Sequence, residues 1–237
     1  VWRTWLALIL FAVGTSLIAP LIPIYKAQLG FGDTVVTLFL VCYVVALVPS
    51  MLTLGQLSDR IGRKPVIYFG MLLFALGSAI AALASSVQVM LLGRVLQGAG
   101  AISGAVLALT ADLTRDNVRT KAMAAIGMTI GLSFVLSIAL APVLAHWIGV
   151  PGIFWMTALL ALAGMAVVAV LVPNPVAHAG HVVTQARRQD FARVLKNPDL
   201  LRLNLGIFVL HAVLMTVFLV VPFQLQDLKL EAKQHWK

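Results

Sequence analysis

Seven apolar runs of roughly twenty residues recur along this chain of 237 residues. About twenty helical residues at 1.5 Å each cross the ~30 Å hydrocarbon core of a bilayer. The runs show no alternation of polar and apolar residues, which would be typical of membrane strands. The sequence therefore predicts an all-α membrane protein with seven transmembrane helices. The predicted spans are Trp5–Tyr25, Thr34–Leu54, Pro65–Leu83, Val87–Leu109, Ala122–Ala145, Gly152–Val172 and Leu203–Pro222.

The composition excludes several other classes of protein. The chain is 61% hydrophobic and only 11% charged, so a water-soluble fold would leave far too much apolar surface exposed. The net charge of +9 does not indicate nucleic-acid binding, because the basic residues lie in short segments between apolar runs without interleaved aromatic residues. A single cysteine, Cys42, rules out a disulfide framework and a cysteine-based metal site. We expect no metal, no cofactor and no nucleic-acid partner.

The basic residues also predict the orientation in the membrane. Lys and Arg near the ends of spans concentrate on the cytoplasmic side. A cytoplasmic N-terminus places twelve of them inside and four outside, and leaves Arg94 within the fourth span. The inside set is Arg3, Arg60, Arg63, Lys64, Arg115, Arg119, Lys121, Arg187, Arg188, Arg193, Lys196 and Arg202.

The connections between spans predict three parts of the chain. Residues 84–86 and 146–151 are so short that neighbouring helices must pack antiparallel, so residues 1–172 are expected to form one six-helix transmembrane bundle. Residues 173–202, rich in proline and basic residues, are expected to form a cytoplasmic linker. Residues 203–237 are expected to be helix seven and an outer segment, the start of a truncated second bundle.

Charge is concentrated in the decapeptide GQLSDRIGRK, residues 55–64, between the second and third spans. Gly55 and Gly62 allow a tight turn, Asp59 suits a helix N-terminus, and Arg63 can form a two-pronged contact with a carboxylate. The charge alone is what a solvated cytoplasmic loop would carry. The arrangement of these residue types predicts something more specific than such a loop.

The decapeptide resembles the loop signature of the major facilitator superfamily at every fixed position. RVLQGAGA at residues 94–101 and ADLTRDNVRTKAMA at residues 111–124 resemble two further signatures of that family. The resemblance covers nearly the whole chain, as helices one to seven of a twelve-helix transporter, and is closest to the drug:proton antiporter branch. The fold class it implies is the N-terminal six-helix bundle plus the first helix of the C-terminal bundle.

The resemblance implies that the decapeptide is part of a conformational latch. It implies that Asp59 caps a helix of the opposite half of the transporter, and that Arg63 pairs with Asp112 at the inner end of helix four. Exposed ion pairs stabilise by only ~0–1 kcal/mol each, so such a latch can break and re-form in each transport cycle. The predicted latch residues are Gly55, Asp59, Arg60, Gly62, Arg63, Lys64 and Asp112.

Four residues are candidates for a substrate or proton pathway. Arg94 lies about 10 Å into the fourth span by helical rise, where a cation is costly unless it reaches water or a partner. The family signature implies that Arg94 and Gln97 face the central cavity; reaching back to the membrane surface is the alternative. Asp33 is a possible proton carrier at the outer mouth of helix two, or else the N-cap of that helix. His211 has a suitable unperturbed pKa for a proton site, although a hydrogen bond to another helix is the simpler role.

Small residues in the fourth and fifth spans predict close helix packing. The antiporter branch carries a fifth-helix signature of which only Pro142 is clearly present, because Ala141 replaces the expected glycine. This departure counts against the assignment to the drug-antiporter branch, but it does not affect the resemblance to the superfamily. The predicted packing residues are Gly98, Gly100, Gly104, Gly127, Gly131 and Pro142.

The predicted function is secondary active transport, with proton-coupled efflux of amphipathic small molecules by alternating access. The alternatives are a facilitator for a sugar or metabolite, and a truncated, non-transporting fragment or seven-helix sensor. The protein is expected not to be an enzyme, and the proton gradient is its expected driving force. Expected partners are the lipid bilayer, a small-molecule substrate, protons and the C-terminal half of the transporter. The expected location is the inner membrane.

Overall fold

A computed structural model describes residues 9–10, 12–15, 32–100, 102–173 and 196–227 of the chain. Most of the first predicted span and of the predicted linker therefore lies outside the described residues. The chain divides into two compact units, Val1–Pro175 and Val176–Lys237. The described helices are α1 (Asp33–Ile61), α2 (Arg63–Ala82), α3 (Val87–Ala99), α4 (Ser103–Asp112), α5 (Asp116–Leu171) and α6 (Pro198–Asp227).

The turn between α1 and α2 is much tighter than the sequence predicts. Helix α1 continues through most of the decapeptide to Ile61, and α2 begins at Arg63. Gly62 alone is non-helical, with φ of 98° and ψ of 159°. Only glycine adopts this backbone conformation without strain, which is why the reversal occurs there. The prediction that Gly55 also serves the turn is wrong, because Gly55 lies within α1.

The predicted fourth span is two helices rather than one. Helix α3 starts after Ser86, whose side chain accepts a hydrogen bond from the amide of Val89 at 3.4 Å, and it ends at Ala99. Helix α4 begins at Ser103. The interruption follows a glycine-rich stretch of low helix propensity. Ser50 of α1 donates a hydrogen bond to the carbonyl of Ala99, the last residue of α3. The last carbonyls of a helix generally need such a partner from outside it.

The predicted fifth and sixth spans are joined by a single non-helical residue. Helix α5 extends over 56 residues and is interrupted only at Gly149, where φ is 67° and ψ is 174°. The predicted connection of residues 146–151 is therefore a kink at Gly149. As at Gly62, the positive φ explains why glycine occupies the position.

Among the described residues of the first unit, helix α2 lies between other helices. It packs against α3 and α5, and α3 packs against α1. Two apolar clusters lie at opposite ends of this bundle. The first, around Phe74, includes residues near the start of α2 and the end of α4; the second, around Phe154, includes residues near the end of α2 and the start of α3.

Five stretches of the described residues are long and apolar enough to cross a membrane: Thr37–Ile61, Arg63–Ala82, Val87–Asp112, Asp116–Ala141 and Val143–Leu171. They correspond to the predicted second to sixth spans. Many of their large apolar side chains are exposed, which suits contact with lipid or with another bundle.

Helix α6, in the second unit, begins earlier than the predicted start at Leu203. Asn197 caps it, accepting hydrogen bonds from the amides of Asp199 at 3.0 Å and Leu200 at 3.3 Å, and Pro198 occupies the first helical position. Proline is favoured there because that position has no helical amide partner to lose. The last residues of the predicted linker therefore belong to α6, which continues past Pro222 to Asp227.

Candidate functional site

The Arg63 cluster, which we define as Ser58, Asp59, Arg63 and Asp112, lies where α1, α2 and α4 meet. The Arg63 side chain donates from Nε to Asp112 Oδ2 at 3.0 Å and from Nη1 to Ser58 Oγ at 3.2 Å. Nη1 also forms an ion pair with Asp59 Oδ1. One guanidinium thus joins the end of α1 to the end of α4. The contact between Arg63 and Asp112 is the one that the family resemblance implies.

Partial exposure to solvent makes these ion pairs reversible. The side chain of Arg63 is 22% exposed, that of Asp59 is 45% exposed and that of Asp112 is 42% exposed. Water therefore solvates the separated charges, and each pair contributes roughly 0–1 kcal/mol. The geometry suits a contact that is broken and re-formed. The latch function itself stays a prediction.

Lys64 contacts the end of a different helix from the one that its neighbour Arg63 contacts. Its ammonium group donates a hydrogen bond to the carbonyl of Val172, the residue that follows the last helical residue of α5. The last carbonyls of a helix have no partner within that helix, and a cation is favourable beside them. The first two residues of α2 therefore hold the ends of α4 and α5.

The Lys64→Met variant is expected to loosen the end of α5, because methionine keeps most of the apolar stem and removes the donor. A lost hydrogen bond of ~0.5–1.5 kcal/mol corresponds to amide exchange about 2–10 times faster over residues 168–172. Hydrogen–deuterium exchange of the purified protein measures this effect. Lys121→Met removes an exposed lysine of α5 and serves as the control. Equal exchange in the two variants would contradict the role assigned to Lys64.

Two of the predicted latch residues make other contributions. Arg60 lies on the exposed surface of the last turn of α1, where its charge suits the end of a helix. Gly62 forms the turn that brings Arg63 next to Asp59.

The second polar group is the Arg94 chain, defined as Arg94, Gln97 and Ser78. Arg94 Nη1 donates to Gln97 Oε1 at 2.7 Å, and Gln97 Nε2 donates to Ser78 Oγ at 2.7 Å. Ser78 in turn donates to the Phe74 carbonyl at 2.9 Å. The guanidinium carbon of Arg94 lies 4.7 Å from the centroid of the Tyr43 ring, a cation–π contact.

The Arg94 chain is buried between the two apolar clusters. Arg94 is 8% exposed, and Gln97 and Ser78 are 0% exposed. Within the described residues, Arg94 therefore packs inside the first unit instead of reaching back to the membrane surface, which was the alternative interpretation. Its predicted role in a pathway stays a prediction.

Several partners in both groups were not predicted from the sequence. Ser58 and Ser78 were overlooked because a serine within an apolar helix commonly bonds only to its own backbone. Tyr43 was not predicted as a partner of Arg94. A signal was available for Ser78, a polar residue near the middle of an apolar span that faces the span carrying Arg94.

The remaining pathway candidates lie apart from these groups. Asp33 is the first residue of α1 and Gly32 occupies the N-cap position, so the alternative of an Asp33 N-cap is wrong. His211 lies on the exposed surface of α6, and its Nδ1 is 3.0 Å from the carbonyl oxygen of Ile207, one turn earlier in the same helix. This contact is within one helix, not between helices as the simpler alternative predicts.

The predicted packing glycines separate into two groups. A Cβ at Gly98 would lie 2.2 Å from the Tyr43 carbonyl oxygen, and one at Gly100 would lie 2.5 Å from the Phe74 amide nitrogen. The backbone therefore comes very close at these two positions, whereas Gly104 meets only the flexible end of Met51 at 3.4 Å. Within the described part of the chain, a Cβ at Gly127 or Gly131 would meet no atom within 4 Å, so the packing role predicted for both is wrong there. Pro142 lies within α5, and its side chain falls outside the described residues.

Three further glycines, which were not predicted from the sequence, also allow close packing. A Cβ at Gly70 would lie 2.1 Å from Ile102 Cγ2. One at Gly77 would lie 2.7 Å from the Gln97 amide nitrogen, and one at Gly93 would lie 2.8 Å from the Gly77 carbonyl oxygen. Helices α2 and α3 therefore touch backbone to backbone.

Comparison with known proteins agrees with the motifs and the fold. Residues 4–234 match the model of the Major Facilitator Superfamily. The chain is 40% identical over 226 residues to the inner membrane transport protein YajR of Escherichia coli K12. The matched region covers 95% of this chain and 50% of that relative. It is 36% identical over 93 residues to the multidrug resistance protein MdtL of Shewanella oneidensis, covering 39% of this chain and 24% of that relative.

A solved structure supports the fold alone. The peptide transporter POT in complex with alafosfalin superposes with a TM-score of 0.65 at 18% identity, over 90% of this chain and 45% of that one. The chain spans about half the length of the YajR relative that it matches. The matched family model, the apolar helices and the YajR relative together show that the chain is a multi-pass protein of the inner membrane and belongs to the Major Facilitator Superfamily.

Proposed function

We propose that this chain is part of a secondary active transporter, not of an enzyme. The inward proton gradient drives this transporter to export amphipathic small molecules. The observation that carries the proposal is the Arg63 cluster. A single partly exposed guanidinium ties α1 and α2 to the end of α4 through contacts weak enough to be remade in each cycle.

Alternating access gives this cluster a role. The membrane must be closed on one side while the binding site opens on the other. In the proposed mechanism, the Arg63 cluster keeps the cytoplasmic ends of the helices together while the transporter is open to the outside, and Asp59 caps a helix of the C-terminal half. Separation of these contacts accompanies opening to the cytoplasm. The substrate and proton sites would lie between the two halves.

The name of one relative supports small-molecule efflux in particular. The relative MdtL is named a multidrug resistance protein, although it covers only 39% of this chain. One cavity in the first unit, lined by residues such as Met51, Leu54 and Ile102, has a volume of only about 20 Å³. Pockets for drug-sized ligands have volumes of roughly 300–1,000 Å³. This cavity is therefore far too small for a drug-sized substrate. A substrate site formed with the C-terminal half is consistent with that size.

Dye efflux from cells that produce the full-length protein tests the proposal. Cells preloaded with ethidium are expected to lose the dye faster than cells carrying an empty vector, and a protonophore is expected to abolish the difference. The gradient is the only energy source in this mechanism, so efflux that persists after the gradient collapses contradicts proton coupling. Protonophore-insensitive uptake of a sugar or metabolite, with no dye efflux, would establish a facilitator instead.

A further inference from the structure

We propose that Ser78 is a positioning residue for Arg94: its hydroxyl group orients the Gln97 amide, and Gln97 holds the Arg94 guanidinium over the Tyr43 ring. Ser78 lies on α2, whereas Arg94 and Gln97 lie on α3. The position of the buried charge therefore depends on a residue of the neighbouring helix.

The direction of the Arg94 chain follows from hydrogen-bond chemistry. Arg94 can only donate, so the Gln97 side-chain oxygen must face it and the Gln97 NH₂ group must face Ser78. The Phe74 carbonyl can only accept, so the Ser78 proton points to Phe74 and leaves the Ser78 lone pairs for Gln97. Each donor thus points away from Arg94, and the negative end of each dipole faces the cation.

Burial makes this orientation necessary. Gln97 and Ser78 are fully buried, so bulk water cannot replace either partner. Residues 65–111 contain no Asp or Glu, so α2 and α3 offer dipoles to the cation and no carboxylate. A buried polar group that loses its hydrogen-bond partner destabilises the protein. In a chain of hydrogen bonds, losing one bond also weakens the next bond of the chain. Without the Ser78 oxygen, the Gln97 amide would be free to rotate and would hold Arg94 less firmly.

Backbone contact explains why a side chain as short as serine reaches Gln97. A Cβ at Gly77 would lie 2.7 Å from the Gln97 amide nitrogen, and one at Gly93 would lie 2.9 Å from Ala81 Cβ. Two glycines therefore let the helices approach until Ser78 Oγ is 2.7 Å from Gln97 Nε2. The glycine contacts set the distance between the helices. At that distance the Ser78 hydroxyl can bind the Gln97 amide and fix its orientation.

The consequence for transport rests on the proposed function. If Arg94 acts in the pathway as a fixed charge, its guanidinium must stay over Tyr43 through the cycle, and a small displacement from the productive position lowers the rate strongly. Losses of about a hundredfold accompany misplacement by ~1 Å in enzymes. Ser78 would then affect transport without touching the substrate.

A double-mutant cycle in the full-length protein tests this inference. The variants are Ser78→Ala, Arg94→Met and the combination of the two, with Ser78→Cys as a milder substitution of similar volume. Ser137→Ala is the matched control, because Ser137 is also fully buried and also donates to the carbonyl four residues earlier. The two readouts are the dye-efflux rate and the melting temperature of the purified protein.

Ser78→Ala is expected to lower efflux by roughly 10–100-fold, Ser78→Cys less, and Ser137→Ala by no more than about twofold. Because Ser78 acts through Arg94, the double variant is expected to be no slower than Arg94→Met alone. Its melting temperature is expected to exceed the value calculated by adding the two single shifts. Additive effects on both readouts would overturn the inference.

The two readouts also separate this inference from the proposed function. If the wild-type protein shows no efflux, the proposed function fails, and the cycle of melting temperatures still decides whether Ser78 and Arg94 are coupled. If Ser78→Ala does not fold, the cycle is run with Ser78→Cys. Coupled melting temperatures combined with additive effects on efflux would show that the positioning has no part in transport, and would overturn that part of the proposal.

Discussion

The Gly98→Ala variant is expected to melt at a markedly lower temperature than the wild-type protein. The added methyl group would lie 2.2 Å from the Tyr43 carbonyl oxygen and 3.1 Å from Ala46 Cβ. The first contact is with backbone, which cannot move aside as a flexible side chain would, so α1 and α3 must separate. Overpacking of this kind costs about 1–3 kcal/mol, and separation of the two helices would also draw Tyr43 away from Arg94.

Gly127→Ala is the matched control for this prediction. The same methyl group at Gly127 would meet no atom of the described residues within 4 Å. Alanine also favours the helix by roughly 0.5–1 kcal/mol relative to glycine, so the melting temperature is expected to stay level or rise slightly. Thermal unfolding of both purified variants, followed by tryptophan fluorescence, gives the comparison. Equal decreases in the two variants would show that the close contact at Gly98 does not stabilise the protein.

The Arg63→Ala variant of the full-length protein is expected to lose most of its transport activity. The substitution removes a guanidinium that contacts Asp59, Asp112 and Ser58, and it leaves two carboxylates without their shared cation. Each partly exposed pair contributes only roughly 0–1 kcal/mol, but all of these contacts are lost together, and about 1.4 kcal/mol changes a rate or an equilibrium about tenfold. We expect a decrease of roughly tenfold or more in the dye-efflux rate.

Two further variants serve as comparisons in this experiment: the conservative substitution Arg63→Lys and the control Arg119→Ala. Lysine keeps the charge but cannot reach three partners with the geometry of a guanidinium, so intermediate activity is expected. Arg119 pairs with Asp116 at 2.7 Å on an exposed surface within α5, and its loss is expected to change efflux less than twofold. If Arg63→Ala transports as well as Arg119→Ala, the Arg63 cluster is not a latch.

The predictions from sequence were most accurate for elements that depend on local chemistry. The apolar runs between Thr34 and Val172 correspond to five candidate membrane spans of the described residues, because the length of such a run is set by the thickness of the bilayer. The contact between Arg63 and Asp112 follows from the family signature. The ends of helices were predicted less well. The spacing of apolar residues does not show that α1 continues through charged residues to Ile61, or that α6 starts at Pro198.

By itself, the sequence determines the class of this protein, its membrane spans, its family and the residue types of the charged decapeptide. Hydrophobic length, charge distribution and motif spacing are properties of the chain read in order. Only the tertiary structure decides which residues meet. Gly98 contacts Tyr43 whereas Gly127 contacts nothing described, Lys64 reaches Val172, and Ser78 completes the Arg94 chain. The physical reason is that a glycine or a serine has the same local preferences on every face of a helix, and only the packing of a second helix gives one face its partner.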